Sequence, residues 1–430
     1  MNRITEKEEF LQTLTDQIRF VKAREGVAHE LADHIEDLAA ALEEKGLEPA
    51  DAVREAVSRM GDPVEIGMQL DLIHRPQTNW RLILLIVLCT IGGLAVQYAT
   101  GMFAENTEAF GKQILFDLLG FAVMLGIYFL DYGFLGTRAR EIFVGMSMAA
   151  VLGIVFWVPE VNGMHRAGIL PMYLFVPAFA GILYRYRGSG VMGVVRAVLW
   201  LILPVVISWN CIPSLPTAAN LFLICGVMTL TAVAKGWFLV DRRKMILLLL
   251  GVGVVLPVLF CVIGYFFLFA DYQKARLLAY LNPAADPFGR GYVASQIRLM
   301  LHEIPGLFSG IPEKGEFLSS LVAIDRGYGL IHLILTYGLI FGLAVIIAFV
   351  KLVQMAFGTA FRQKNQLGFM IGFGCGMVFL VMCLEGVAVN FTLLPATTIV
   401  LPFLSTGGTA VIVYSVLLGL LLCVHRYQNV

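Results

Sequence analysis

Between Trp80 and Val424 the sequence returns repeatedly to long apolar runs such as ILLIVLCTIGGLAVQYA (83–99) and MILLLLGVGVVLPVLFCVIGYFFLFA (245–270). Runs of this length and hydrophobicity read as membrane-spanning helices. Ten spans are expected, at 81–100, 113–130, 141–158, 169–186, 190–208, 217–235, 244–270, 328–355, 367–388 and 397–424. The fold class is all-α: a polytopic membrane protein of about ten transmembrane helices with a small N-terminal soluble helical domain. Charged residues make up only 14% of the chain, against about 25% in globular proteins, so most of it cannot face water. The first apolar run begins near Trp80 after a long charged segment, and no cleavable leader pattern precedes it.

A net charge of zero hides a division. Residues 1–79 hold 9 Lys/Arg and 17 Asp/Glu, whereas residues 80–430 hold 22 and 14. An acidic module is joined to a basic membrane body, and nucleic acid suits neither as a partner. The module, 1–79, reads as three helices. Thr5 and Glu8 form a capping box, and Phe10, Leu14, Ile18 and Val21 follow at helical spacing. Leu31, Ile35, Leu38 and Leu42 make a second stripe that stops at Gly46. Pro49 opens a third helix through Ala52, Val53, Ala56 and Met60, stopped by Gly61, Asp62 and Pro63. HELADH (29–34) lacks the second His at i+4 that a zinc-protease helix needs, position 33 being Asp, and reads as a solvated face. The seven cysteines lie in or beside apolar runs with no CxxC pair, which suits packing residues better than disulfides or metal ligands.

Charge also sets an orientation. With the N-terminus in the cytoplasm, the loops carrying Arg138/Arg140, Arg185/Arg187, Lys235/Arg242/Arg243/Lys244 and Lys351/Arg362/Lys364 fall inside. Both termini are then cytoplasmic. The connection at about 271–327 breaks the pattern, for it lies outside and holds Lys274, Arg276, Arg290, Arg298, Lys314 and Arg326. Long loops escape the positive-inside rule and are often functional. These cations suit an anionic lipid headgroup, arginines forking onto phosphate oxygens; they equally suit simple solvation. Glu385, inside the ninth span, is a candidate functional acid, because a carboxylate at membrane depth is costly without a cavity or a cation. A place near the interface, within reach of water, is the other reading.

The last span is the most informative. LLPATTIVLPFLSTGGTAVIVYSVLLGLLL (393–422) carries Pro395, Pro402, Ser405, Thr406, Gly407, Gly408 and Thr409 in its first half, more helix breakers than an anchor needs. Irregular backbone at membrane depth is tolerated where protein or a water-filled cavity covers it. This segment resembles the closing signature of the SEDS proteins, the FtsW/RodA/SpoVE group, through Pro395, Thr397, Leu401, Pro402, Phe403, Ser405, Gly407, Gly408 and Thr409. KQILFDLLGFAVMLGIYFLDY (112–132) is similar to that group's second span, ending in Asp131-Tyr132. VNGMHRAGI (161–169) resembles its outside loop through Asn162, Gly163, Arg166 and Ile169. YLNPAADPFGRGYVASQIRLMLHEIPGLFSG (280–310) resembles its long loop through Pro283, Asp286, Gly289, Gly291, Tyr292, Gln296, Gly306 and Gly310. The acidic module is similar to the small HAAS-type helical modules of some membrane proteins.

The resemblance implies a peptidoglycan glycosyltransferase of the bacterial cytoplasmic membrane that polymerises lipid II on its outer face, with a class B penicillin-binding protein transpeptidase as partner and membrane lipids around it. It implies a carboxylate near the end of the long loop as general base. Asp325 is the candidate and Asp286 the alternative. Arg166, Arg276, Arg298, Arg326, Gln296, Ser405, Gly407, Gly408 and Thr409 are candidates for binding substrate. No metal site is assigned; the leaving pyrophosphate would be met by cations or by a divalent ion.

The departures from the family pattern fall on the chemistry. Counting back from Gly338 to the family's base position lands on Gly327, two residues after Asp325. The fourth-span P-S-E-x-x-K motif is replaced by Pro177, Ala178, Phe179 and Ile182. The P-D-L-G-T motif becomes PSLPT, with Ser214 in place of the acid. These changes keep two other readings open: a SEDS scaffold or regulator of a cell-wall transpeptidase that has lost its chemistry, and, further off, a lipid flippase.

Overall fold

The computed structural model describes residues 6–99, 107–156, 165–268, 271, 274, 292–304, 306–311, 313, 327–394, 401–404 and 406–428. Every regular element among them is helical. The chain divides into two compact units, 1–78 with 425–430, and 79–424.

The first unit holds four helices where the hydrophobic spacing gives three: α1 (Glu6–Gln17), α2 (Val21–Glu43), α3 (Pro49–Met60) and α4 (Pro63–His74). Val21 opens α2 instead of closing the first helix. The Gly61-Asp62-Pro63 stop is also a start. Asp62 accepts the Val64 N–H at 2.8 Å, and Pro63 takes the first helical position, where its missing N–H costs nothing. Glu6, Glu8 and Glu9 crowd the first turn of α1, where the helix dipole favours acids; Thr5, the expected cap, lies outside the described residues. Phe10, Leu14, Ile18, Val27, Ile35, Leu42, Ala52 and Ala56 form the core of this unit. His29 and Asp33 of HELADH are both exposed.

Among the described residues, the second unit contains ten helices long and apolar enough to cross a membrane. They are α5 (Trp80–Ala99), α6 (Glu108–Phe129), α8 (Ala139–Phe156), α9 (Arg166–Arg185), α10 (Gly190–Asn210), α11 (Leu215–Ala234), α12 (Arg242–Phe267), α15 (Leu339–Phe361), α16 (Gln366–Asn390) and α17 (Gly408–Arg426). Shorter helices among the described residues include α7 (Gly133–Thr137), α13 (Tyr292–His302) and α14 (Gly329–Tyr337). The central helices are α9, α16 and α17, whose apolar windows are 72%, 78% and 72% buried, while that of α12 has no buried residue. Central helices approach closely where glycine removes a side chain: a Cβ on Gly181 of α9 would collide with the Leu135 carbonyl of α7.

The second span begins five residues before the expected position, at Glu108, and three others are irregular. The fourth opens with one helical turn, Arg166–Ile169, and passes through a 3-10 turn, Leu170–Leu174, where Pro171 has no N–H to give. The eighth is broken at Gly338, whose φ of +106° divides α14 from α15. The last begins at Gly408 and not at 397, since Phe403 and Gly407 take φ of +65° and +134°. Because consecutive spans alternate, the cationic connections around Arg138, Arg187, Arg242 and Arg362 share one end of the bundle. The breaks at 338 and 401–407, and helix α13, share the other.

Asp71 of α4 ties the first unit together, accepting the Arg19 N–H at 2.8 Å while 7% exposed. Asp71→Ala should lower the stability of this unit by about 1–3 kcal/mol, measured as faster amide exchange across α1 and α4 in the full chain.

Candidate functional site

The end of the bundle that carries the breaks is held by side chains reaching between helices. Helix α14 is only nine residues long, and Leu330, Ile331, Ile334 and Leu335 are fully or almost fully buried. Its N-terminus therefore needs partners from the protein. Asn390, wholly buried at the end of α16, supplies them. Its Oδ1 accepts the Ile331 N–H at 2.9 Å, and its Nδ2 donates to the Gly327 carbonyl at 2.7 Å and the Gly386 carbonyl at 2.8 Å. The backbone two residues after Asp325 is thus fixed by a side chain of the ninth span.

The far end of α14 is closed by the long connection. Ile340 N–H donates to the Leu307 carbonyl at 2.9 Å and Ile311 N–H to the Leu335 carbonyl at 2.6 Å, so residues 306–311 bridge the Gly338 break. A Cβ on Gly310 would collide with the Leu335 and Thr336 carbonyls, which explains the glycine. Ile297 and Met300 of α13 pack with Leu330, Ile331, Ile334, Leu401 and Leu404 in one cluster. Arg298 leaves that helix to donate from Nε to Thr392 Oγ1 at 3.0 Å and from Nη2 to the Thr392 carbonyl at 3.1 Å. This arginine thus clamps the turn after α16 at φ +56°, a structural task beyond the expected one of meeting substrate. Gln296 lies half-buried on the same helix.

Glu385 is buried, 9% exposed, and accepts a hydrogen bond from Asn220 Nδ2 of α11 at 2.6 Å. The same amide donates to the hydroxyl of Tyr173, fully buried in α9, at 3.1 Å. Through the Asn220 amide, Glu385 of α16 is linked to Tyr173 of α9, five residues before α16 ends at Asn390. At the start of α11, the N-cap Ser214 and Thr217 share a hydrogen bond at 2.8 Å. Facing α16, the fourth span is apolar at the altered positions, with Ala178, Phe179 and Ile182 at most 2% exposed. Arg166 opens that span half-buried. Its Nε is shut from solvent with no hydrogen-bond partner among the described residues.

The turn before α17 is gripped by the first two spans. Gln97 Nε2 donates to the Phe403 carbonyl at 3.2 Å, and a Cβ on Gly93 would collide with the same carbonyl. Gly407 N–H donates to Gln113 Oε1 at 3.0 Å. Gly407 and Thr409 are exposed, and Gly408 sits against the Phe116 ring. Asp286, Arg276, Asp325, Arg326 and Ser405 lie outside the described residues, as do Pro395 and Thr397 of the closing signature. Among the described residues no three His, Cys, Asp or Glu side chains gather as a metal site. Asn390, Asn220, Tyr173, Gln97 and Gln113 were not singled out from the sequence. Their signal was there: an amide in an otherwise apolar span needs a partner.

Ten crossing helices and a covered break at one end define a polytopic membrane protein with a polar site at one face. Residues 76–430 match the family described as cell cycle protein, FtsW/RodA/SpoVE, and the chain belongs to this family. It is 28% identical over 194 residues to the peptidoglycan glycosyltransferase MrdB of Escherichia coli K12, covering 42% of this chain and 49% of that one. The match thus spans about half the length of that relative. Stage V sporulation protein E of Bacillus subtilis is 26% identical over 373 residues, 81% of this chain and 96% of its own. A solved chain from work on polymerization and crosslinking by a peptidoglycan synthase complex superposes with a TM-score of 0.65 at 18% identity, covering 82% of this chain and 99% of that one. The likeness establishes the fold: this is a multi-pass membrane protein of the FtsW/RodA/SpoVE type.

Asn390→Leu keeps the approximate volume and removes three hydrogen bonds. It should destabilise the start of α14 by about 1–3 kcal/mol, seen as amide exchange at Ile331 faster by about tenfold or more.

Proposed function

We propose that this protein is a peptidoglycan glycosyltransferase that polymerises lipid II at the outer face of the bacterial cytoplasmic membrane. The observation that carries the reading is the covered break at the polar end. Asn390 holds the Gly327 carbonyl at the start of the eighth span, two residues after Asp325, while Arg298 secures the turn at Thr392 and residues 306–311 cover the Gly338 break. A family in which relatives are named peptidoglycan glycosyltransferases supplies the chemistry.

In this reading Asp325 takes the proton from the acceptor sugar's 4-hydroxyl. The freed oxygen attacks the anomeric carbon of the donor chain, and the bond to the polyprenyl pyrophosphate breaks. Arg166, whose Nε has no partner among the described residues, meets the departing anion. The turn from Pro402 to Thr409 supplies backbone amides to the sugar-pyrophosphate head. The cationic connections then lie in the cytoplasm with both termini, as does the acidic HAAS-like unit. A class B penicillin-binding transpeptidase is the expected partner.

One observation favours a second reading. Ala178, Phe179 and Ile182 fill the bundle interior where the family motif carries an acid and a lysine. A scaffold that binds the transpeptidase without polymerising would have this core.

Purified full-length protein with labelled lipid II and its transpeptidase should yield glycan strands. Asp325→Asn should lower their yield by about 10²–10⁴-fold, while Asp286→Asn leaves it near wild type. No strands from the wild-type complex would establish the scaffold reading.

A further inference from the structure

Asp117 stands two turns inside α6, about 14 Å from the helix start at 1.5 Å per residue. A carboxylate at that depth is costly and is a functional candidate by default. Its one hydrogen bond among the described residues comes from Gln113 Nε2, at 3.4 Å, and no ion pair to it is found there. Gln113 is 4% exposed. Its other amide atom, Oε1, receives the Gly407 N–H at 3.0 Å. Asp117 also faces a cavity of about 350 Å³ between α5, α6 and α17, whose lining includes Thr90, Gln113 and Ser415 among apolar side chains. That volume gives the carboxylate room for hydration.

We propose that Asp117 is a positioning residue which, through the Gln113 carboxamide, fixes the backbone amide of Gly407 at the mouth of the last span. A carboxamide can face its two neighbours either way round. The Asp117 carboxylate only accepts and the Gly407 N–H only donates. With the carboxylate in place, one orientation satisfies both contacts; turned over, the amide would set NH2 against N–H and oxygen against oxygen. Gly407 at φ +134° is in a conformation that other residues rarely adopt, so its backbone needs an external hold. The fixed point lies between Ser405 and Thr409, both proposed to hold substrate; the inference rests on that reading only for its effect on activity.

The relay predicts a polarity swap. Gln113→Glu sets two carboxylates together and pushes the relay apart. Adding Asp117→Asn restores it, since the carboxylate introduced at position 113 would accept from both the new carboxamide at position 117 and the Gly407 N–H. The test uses the full chain in lipid nanodiscs, with amide exchange at Gly407 and polymerisation of labelled lipid II as separate readouts. Gln113→Glu should speed Gly407 exchange by about tenfold and lower polymerisation. The double variant Gln113→Glu/Asp117→Asn should return both to within about threefold of wild type. Gln113→Leu should deprotect Gly407 to the same extent, and Asp117→Asn should not rescue it. A double variant as exposed as Gln113→Glu, or rescue of Gln113→Leu, would overturn the relay. The expected exchange pattern in a wild-type protein that forms no glycan would uphold the relay and remove the glycosyltransferase reading.

Discussion

Backbone hydrogen bonding at membrane depth is the constraint on which this structure depends. A bilayer supplies no partner for a free N–H or C=O, yet the eighth and last spans are both interrupted. Each interruption is matched by a side chain or a stretch of backbone from elsewhere. Asn390 serves the start of α14, the 306–311 segment serves the Gly338 break, and Gln97 and Gln113 serve the turn before α17. Remove that cover and the irregular segments would have to become helix, which would erase the site.

The same economy explains why polar side chains gather at one end. Amides and hydroxyls at 97, 113, 173, 220 and 390 all lie toward the end that carries the breaks. At the other end the side chains are largely cations near connections, such as Arg187 over the Tyr184 ring and Lys235 over the Phe369 ring. One end is built for internal hydrogen bonds and the other for a charged surface.

The distribution of charge inside the bundle also sets this chain apart from its family's pattern. The fourth span has traded a polar motif for Ala178, Phe179 and Ile182, and the interior carboxylate sits instead on α16 as Glu385, held by Asn220. Replacing an interior ion pair by apolar packing is often neutral or stabilising, so the fold accommodates the exchange readily.

How much of this was legible follows from the reach of each interaction. Apolar run length fixed ten spans because the bilayer core demands about twenty residues per helix, and the prolines and glycines of 393–409 marked where the last span would be irregular. Charge in the connections marked the two ends. The fourth helix of the acidic unit was missed because Gly61-Asp62-Pro63 serves equally as stop and start, and only packing against Arg19 through Asp71 decides for both. Nor could spacing reveal that Asn390 meets Ile331, or that Gln113 meets Gly407, residues 294 positions apart in the chain. The sequence by itself determined which segments are helical and which end of each is polar, because those depend on local hydrophobicity and backbone chemistry. Only the tertiary structure decided which amide satisfies which broken backbone, because that depends on distances between helices that no local pattern encodes.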